Sequence, residues 1–161
     1  MSKSTSRVAY LCRASIIAAL YAALTVITAG FSSGPIQIRI SEALCILAVF
    51  TPAAVPGLTV GCIAANLLTG CALWDVVLGS LSTLAGVLGV RLLRKLPYLA
   101  PLPYVAANVV GISAVFFLVY GMRGLEWLAA CGSLAVSETL AAWALGIVLY
   151  LLLRKSAGKL F

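Results

Sequence analysis

The stretch GPIQIRISEAL, from Gly34 to Leu44, lies between long apolar runs and concentrates polar residues in a chain that has few of them. Gly34-Pro35 predicts a turn that ends the preceding helix. The three isoleucines that follow alternate with Gln37, Arg39 and Ser41, and this period of two indicates an extended segment with one polar face.

The end of the stretch predicts the start of a helix. Ser41 suits an N-cap, and Glu42 places an acid in the first turn that follows. Two interpretations stay open for these polar residues. They form either a loop at the membrane interface with an Arg39–Glu42 ion pair, or a mouth that holds a polar ligand.

Composition excludes a soluble globular domain. The chain has 161 residues, of which 63% are hydrophobic and 9% charged, and it has no histidine. Long stretches carry no charge, and a membrane-spanning helix needs about 20 mostly apolar residues. We therefore expect an all-α integral membrane protein, with residues 1–161 forming a single membrane domain.

The positive charge is a signal of topology. The net charge is +7, and nine of the 11 cationic residues fall in three groups, at the N-terminus, in one loop and at the C-terminus. Such groups mark cytoplasmic ends under the positive-inside rule, so both termini are predicted to be cytoplasmic and nucleic acid is not an expected partner. The first apolar run could be a cleaved signal peptide, but the apolar segments that follow favour a retained first helix. The three groups are Lys3, Arg7 and Arg13; Arg91, Arg94 and Lys95; and Arg154, Lys155 and Lys159.

Apolar runs and their interruptions predict six membrane-spanning helices. Thr51-Pro52 and Pro56-Gly57 break the uncharged run from Ala43 to Leu73 into two helices joined by a tight turn. No repeat relates the two halves, which argues against an inverted-repeat transporter. The remaining predicted spans are Val8–Phe31, Asp75–Val90, Pro103–Tyr120 and Trp127–Leu153.

A stripe of small residues runs along the first helix. Ala14, Ala18 and Ala22 recur every four residues, and small residues at this spacing let helices approach closely in lipid. Alanine is common in this chain, but a whole stripe on one face predicts a helix-packing surface.

Three polar or aromatic residues cluster near the predicted outer ends of helices three and four. Asn66 could cap or cross-link helices, or it could face a cavity. Trp74 fits an interfacial aromatic belt, and Asp75 suits the N-cap of helix four.

Glu138 lies about eleven residues into helix six, roughly 16 Å down the helix axis. A carboxyl at this depth is costly and faces a partner or a cavity. It could stay protonated and join two helices, or it could bind a ligand or an ion, and the second role is favoured.

No motif indicates catalysis, a metal or a cofactor. The chain lacks histidine, HExxH, GxSxG and a Walker A loop, and its five cysteines show no CxxC spacing. Activity as an enzyme is therefore not expected. What remains is a polar set that suits a small, flat molecule rich in hydrogen-bonding groups. Its members are Gln37, Arg39, Glu42, Asn66, Trp74, Asp75 and Glu138.

The sequence resembles the QueT family, whose members are substrate-binding S components of energy-coupling factor (ECF) transporters. The likeness rests on GPIQIRISEAL, FTPAAVPGL, GCIAANLLTG, LAPLPYVAANVV and the SETLAAWALG run around Glu138. It implies a six-helix S-component bundle in membrane lipid with an outward-facing site. It also implies a deazapurine ligand, a 7-deazaguanine such as 7-aminomethyl-7-deazaguanine or queuine. The implied partners are a transmembrane coupling protein, docked on the Ala14, Ala18 and Ala22 surface, and two ATPase subunits.

The ligand implied by the resemblance agrees with the polar set. A carboxylate can accept from the ring N–H and amino groups, an amide or Arg can bind the carbonyl, and Trp74 offers a stacking surface. Three other functions stay open. The chain could be a stand-alone ion-coupled carrier that uses Glu138, an S component for a different vitamin-like ligand, or a membrane adaptor whose polar residues are structural.

Overall fold

The computed structural model describes residues 3–29 and 39–156, with side chains from Ser6 onward. All regular structure in these ranges is helical. The polar residue Gln37 and the tail cation Lys159, both singled out from the sequence, lie outside the described residues. The helices are α1 (Lys3–Ala29), a 3-10 helix (Ile40–Ile46) that continues into α2 (Leu47–Phe50), α3 (Ala54–Leu68), α4 (Leu73–Leu92), α5 (Leu102–Leu118), α6 (Gly124–Glu138), a π-helical segment (Thr139–Leu145) and α7 (Gly146–Leu153).

Three helical stretches are long and apolar enough to cross a membrane: Ser6–Ala29, Leu73–Leu92 and Gly124–Leu153. The other three apolar stretches are shorter, namely Ile40–Phe50, Ala54–Leu68 and Leu102–Leu118. Many large apolar side chains of the long helices lie on the surface. An all-helical fold with apolar outer surfaces is typical of a membrane protein, since lipid needs no polar covering.

The break predicted between the second and third helices is present. Thr51 ends α2, and its side-chain oxygen accepts a hydrogen bond from the Ala53 amide. Pro56 falls in the first turn of α3, where its missing N–H costs no helical hydrogen bond. The guanidinium of Arg91 donates to the Ala48 and Val49 carbonyls, which ties the end of α4 to α2.

The starts of two helices differ from the prediction. The 3-10 helix begins at Ile40 without a side-chain cap, and the Ser41 hydroxyl instead accepts a hydrogen bond from Thr25 of α1 at 2.7 Å. Ala72 precedes α4, so Asp75 lies within its first turn and does not cap it. In both places a partner on another segment binds the side chain that local sequence assigned to a cap.

Small residues bring α1 and α3 into backbone contact. A Cβ atom added at Gly57 would lie 2.7 Å from the Ala14 carbonyl oxygen, and one at Gly61 would lie 2.9 Å from that of Ala18. Ala14, Ala18 and Ala22 are half-buried in consequence. The stripe on α1 is therefore a helix-packing surface, and its partner within this chain is α3.

Glycine residues also allow α4 and α5 to approach each other closely. A Cβ at Gly86 would meet Tyr104 at 2.8 Å, and one at Gly89 would meet Pro103 at 2.4 Å. This close approach lies in the half of the bundle that leads to the basic loop at Arg91. At the opposite end, which carries the α3–α4 and α5–α6 connections and is called the mouth end below, the helices leave a cavity.

Candidate functional site

A cavity of about 380 Å³ opens at the mouth end of the bundle. Such a volume lies in the range of small-molecule sites. Its walls come from the residue before the 3-10 helix, the end of α3, the start of α4, the end of α5 and the face of α6. Its polar side chains include Arg39, Asn66, Asp75 and Tyr120, and its apolar ones include Ile112 and Leu134.

Asn66 links two sides of this mouth cavity. Its side-chain oxygen accepts from the Arg39 guanidinium at 3.4 Å, and its amide nitrogen donates to the Asp75 backbone carbonyl at 3.4 Å and to the Cys62 sulfur at 3.6 Å. Asn66 is buried. It therefore has both roles weighed from the sequence, because it cross-links helices and also lines the cavity.

Asp75 and Tyr120 meet at the rim of the cavity. The Tyr120 hydroxyl donates to Asp75 Oδ2 at 2.6 Å, and this contact is exposed. The hydrogen bond to the carboxylate raises the pKa of Tyr120 to about 12. Tyr120 thus stays protonated at neutral pH and remains a donor, while Asp75 keeps lone pairs that can accept from a further group.

Glu42 lies away from the cavity lining, in a buried cluster with two tyrosines. It is 2% exposed, and its two oxygens accept from the hydroxyls of Tyr21 on α1, at 2.9 Å, and Tyr104 on α5. Arg39 pairs with Asn66, so these contacts replace the Arg39–Glu42 pair weighed from the sequence. The cluster holds three helical segments together and gives each oxygen of Glu42 a hydroxyl donor.

Glu138 is also buried, on a different pair of helices. It is 5% exposed, and its Oε2 accepts from the side-chain amide of Asn108, which is 2% exposed, at 3.1 Å. Within residues 3–29 and 39–156, Asn108 Oδ1 has no hydrogen-bond partner. A π-helical segment begins directly after Glu138, and such segments often occur at functional sites.

The structure therefore brings together three residues of the predicted polar set, Arg39, Asn66 and Asp75. Glu138 lies deeper than the cavity lining, and Trp74 is 57% exposed and outside it. Sequence reasoning assigned no role to the tyrosines at positions 21, 104 and 120. One signal was available for Tyr104, which lies four residues before Asn108 on the same helical face.

Comparison with known proteins gives two matches. The family model described as QueT transporter matches residues 11–155. A protein of Lactococcus lactis subsp. cremoris (strain MG1363), the queuosine precursor transporter QueT, is 45% identical over 85 residues. This stretch is 50% of the present chain and 48% of that protein, so the match spans about half the length of the relative. No solved structure matches the chain.

Proposed function

This chain belongs to the QueT transporter family, and we propose that it binds a queuosine precursor, a 7-deazaguanine base, for uptake into the cell. The observation that carries the proposal is the mouth cavity, where one space is lined by a cationic donor, an amide and a carboxylate. Family membership supports the transport role, and the relative from Lactococcus lactis carries the name of a queuosine precursor transporter.

The chemistry of the cavity suits a polar, flat base. Arg39 can donate to the ring carbonyl, as a guanidinium does to planar acceptors. Asp75 can accept from the ammonium of an aminomethyl group, since it lines the cavity and Tyr120 occupies only part of its accepting capacity. Glu42 is bonded by two tyrosines, and Asp75 is therefore the carboxylate we assign to a ligand cation.

We further propose a multi-pass arrangement in the bacterial plasma membrane, with six spans and both termini in the cytoplasm. The six apolar helical stretches support it, although three are shorter than a full span. The basic residues at one end, such as Arg91, Arg94 and Arg154, agree with a cytoplasmic location under the positive-inside rule. The mouth cavity would then open to the outside.

In this proposal the chain is the S component of an ECF importer and not an enzyme. A transmembrane coupling protein and two ATPase subunits would supply the energy. The α1 stripe of Ala14, Ala18 and Ala22 is half-buried by α3, so only its outer edge remains for the coupling protein. Ala22→Leu should weaken co-purification with that protein, and exposed Val110→Leu on α5 is the matched control.

The test of function uses the purified chain in two assays. Calorimetry should detect binding of 7-aminomethyl-7-deazaguanine, and liposomes that contain this chain alone should accumulate none of it. Failure to bind any 7-deazaguanine would refute the assigned ligand. Accumulation without partner subunits or ATP would instead favour the second candidate, an ion-coupled carrier. The buried carboxyl of Glu138 is the observation in favour of that candidate.

A further inference from the structure

Asn108 and Glu138 each lie one helical turn from a residue that lines the mouth cavity. Ile112 of α5 and Leu134 of α6 line the cavity. Asn108 precedes Ile112 by four residues, and Glu138 follows Leu134 by four. Because residues four apart share a helical face and α5 and α6 run in opposite directions, both steps lead away from the mouth, by about 6 Å.

This pair has more accepting than donating capacity. Glu138 contributes two carboxylate oxygens, and Asn108 contributes an amide oxygen that has no partner in the described part of the chain. The donor that the pair itself supplies is the Asn108 amide, which already points at Glu138. A buried acceptor without a donor costs free energy, so the pair is suited to a group that brings several N–H donors together.

We propose that Asn108 is a specificity-determining residue that acts with Glu138 to recognise the N–H donor edge of the ligand. The inference rests on the proposed function. The bound base inserts one helical turn past Ile112 and Leu134. Its ring N–H donates to Glu138, and its exocyclic amino group donates to Asn108 Oδ1. The chemical class selected is therefore a 2-amino purine-type base, and bases without that amino group are rejected.

A ligand series with the wild-type chain tests the inference first. We expect 7-deazaguanine to bind about 100-fold more tightly than 7-deazahypoxanthine, which lacks the amino group, because the analogue leaves the buried Asn108 Oδ1 unpaired. Equal affinities for these two bases would overturn the inference and leave the proposed function standing. Absence of binding by every 7-deazaguanine would refute the proposed function itself.

Two variants of Asn108 then assign the selection to this side chain. Asn108→Leu removes the acceptor and should reduce the preference between the two bases to below about fivefold. Asn108→Asp keeps an acceptor at this position and can share one proton with Glu138, as close carboxyl pairs do, so it should retain most of the preference. Val110→Ala, at an exposed position of the same helix, is the matched control and should leave the preference unchanged.

These variants remain informative if one of them folds poorly. Elution as a single species in size-exclusion chromatography identifies the folded variants. If Asn108→Leu fails this criterion, Asn108→Asp and the wild-type series still test whether Asn108 recognises the exocyclic amino group. Loss of the preference in Asn108→Asp with an intact fold would overturn the pairing with Asn108 Oδ1, and so would a full preference in folded Asn108→Leu.

Discussion

Tyr104→Phe tests the assignment of Glu42 to structure. The Tyr104 ring is fully buried, and its hydroxyl donates to one oxygen of Glu42 while Tyr21 donates to the other. The substitution removes one donor and changes little else, since phenylalanine has the same ring. Glu42 then keeps a buried oxygen without that donor.

The expected cost follows from the kind of bond that is lost. Hydrogen bonds to charged groups contribute about 1.5–3 kcal/mol, and the loss is greater when the remaining partner stays buried. We therefore expect the free energy of unfolding to fall by about 2 kcal/mol. Tyr98→Phe is the matched control, because Tyr98 is exposed and exposed substitutions usually change stability by less than about 0.5 kcal/mol.

The assay is equilibrium unfolding by sodium dodecyl sulfate in mixed micelles, followed by circular dichroism. A parallel calorimetric series measures affinity for 7-aminomethyl-7-deazaguanine, a cation, and for its uncharged 7-cyano analogue. If the role of Glu42 is structural, Tyr104→Phe changes the binding affinity for both ligands by the same factor. A change in unfolding below about 0.5 kcal/mol, or a loss confined to the cationic ligand, would refute the assignment.

Three further substitutions follow from the geometry of the site and of the helix packing. Asp75→Asn should weaken binding of the cationic ligand about tenfold more than binding of the cyano analogue, a difference of about 1.4 kcal/mol. Calorimetry measures both affinities, with Glu126→Gln as the control variant. Equal losses of affinity for the two ligands would show that Asp75 does not bind the cation. Glu138→Gln should cost every guanine-like ligand about 2–5 kcal/mol of binding free energy, and unchanged affinity would assign Glu138 to helix packing. Gly61→Ala should destabilise the fold by about 1–3 kcal/mol, because its new Cβ would lie 2.9 Å from the Ala18 carbonyl oxygen. Gly132→Ala adds a Cβ that meets no described atom within 4 Å, and since alanine favours a helix over glycine, it should not lower the free energy of unfolding in the same assay.

Much of the helical layout was predictable from the sequence because lipid imposes simple constraints. A break at Thr51-Pro52 and a basic end at Arg91 follow from rules that act on short stretches of chain. Helix ends were less predictable, since Ser41 and Asp75 bond to groups brought near by the fold. The prediction of Ser41 as an N-cap was wrong, and its hydroxyl instead accepts a hydrogen bond from Thr25 of α1.

The different environments of the acidic side chains could not be predicted from the sequence. Glu42 lies in the most polar stretch of the chain, which made it a candidate for ligand binding. Its environment is set by Tyr21 and Tyr104, which are 21 and 62 residues away along the chain. Tyr21 does not differ locally from an ordinary aromatic residue in an apolar helix, and the spacing of Tyr104 from Asn108 does not point to Glu42. Only the packing of α1 and α5 against the 3-10 helix reveals the pairing.

The donors around each carboxylate decide its role in the proposed site. Each oxygen of Glu42 receives a hydroxyl donor, whereas Glu138 receives one amide donor and lies beside an amide oxygen that has no partner among the described residues. Asp75 shares one oxygen with Tyr120 at the exposed rim. A ligand that places N–H donors on one edge and a cation on a side chain would satisfy the deep pair and the rim together. In this orientation the donor edge points into the bundle and the aminomethyl group points toward the mouth, so substituents at the 7-position should be tolerated more readily than changes to the donor edge.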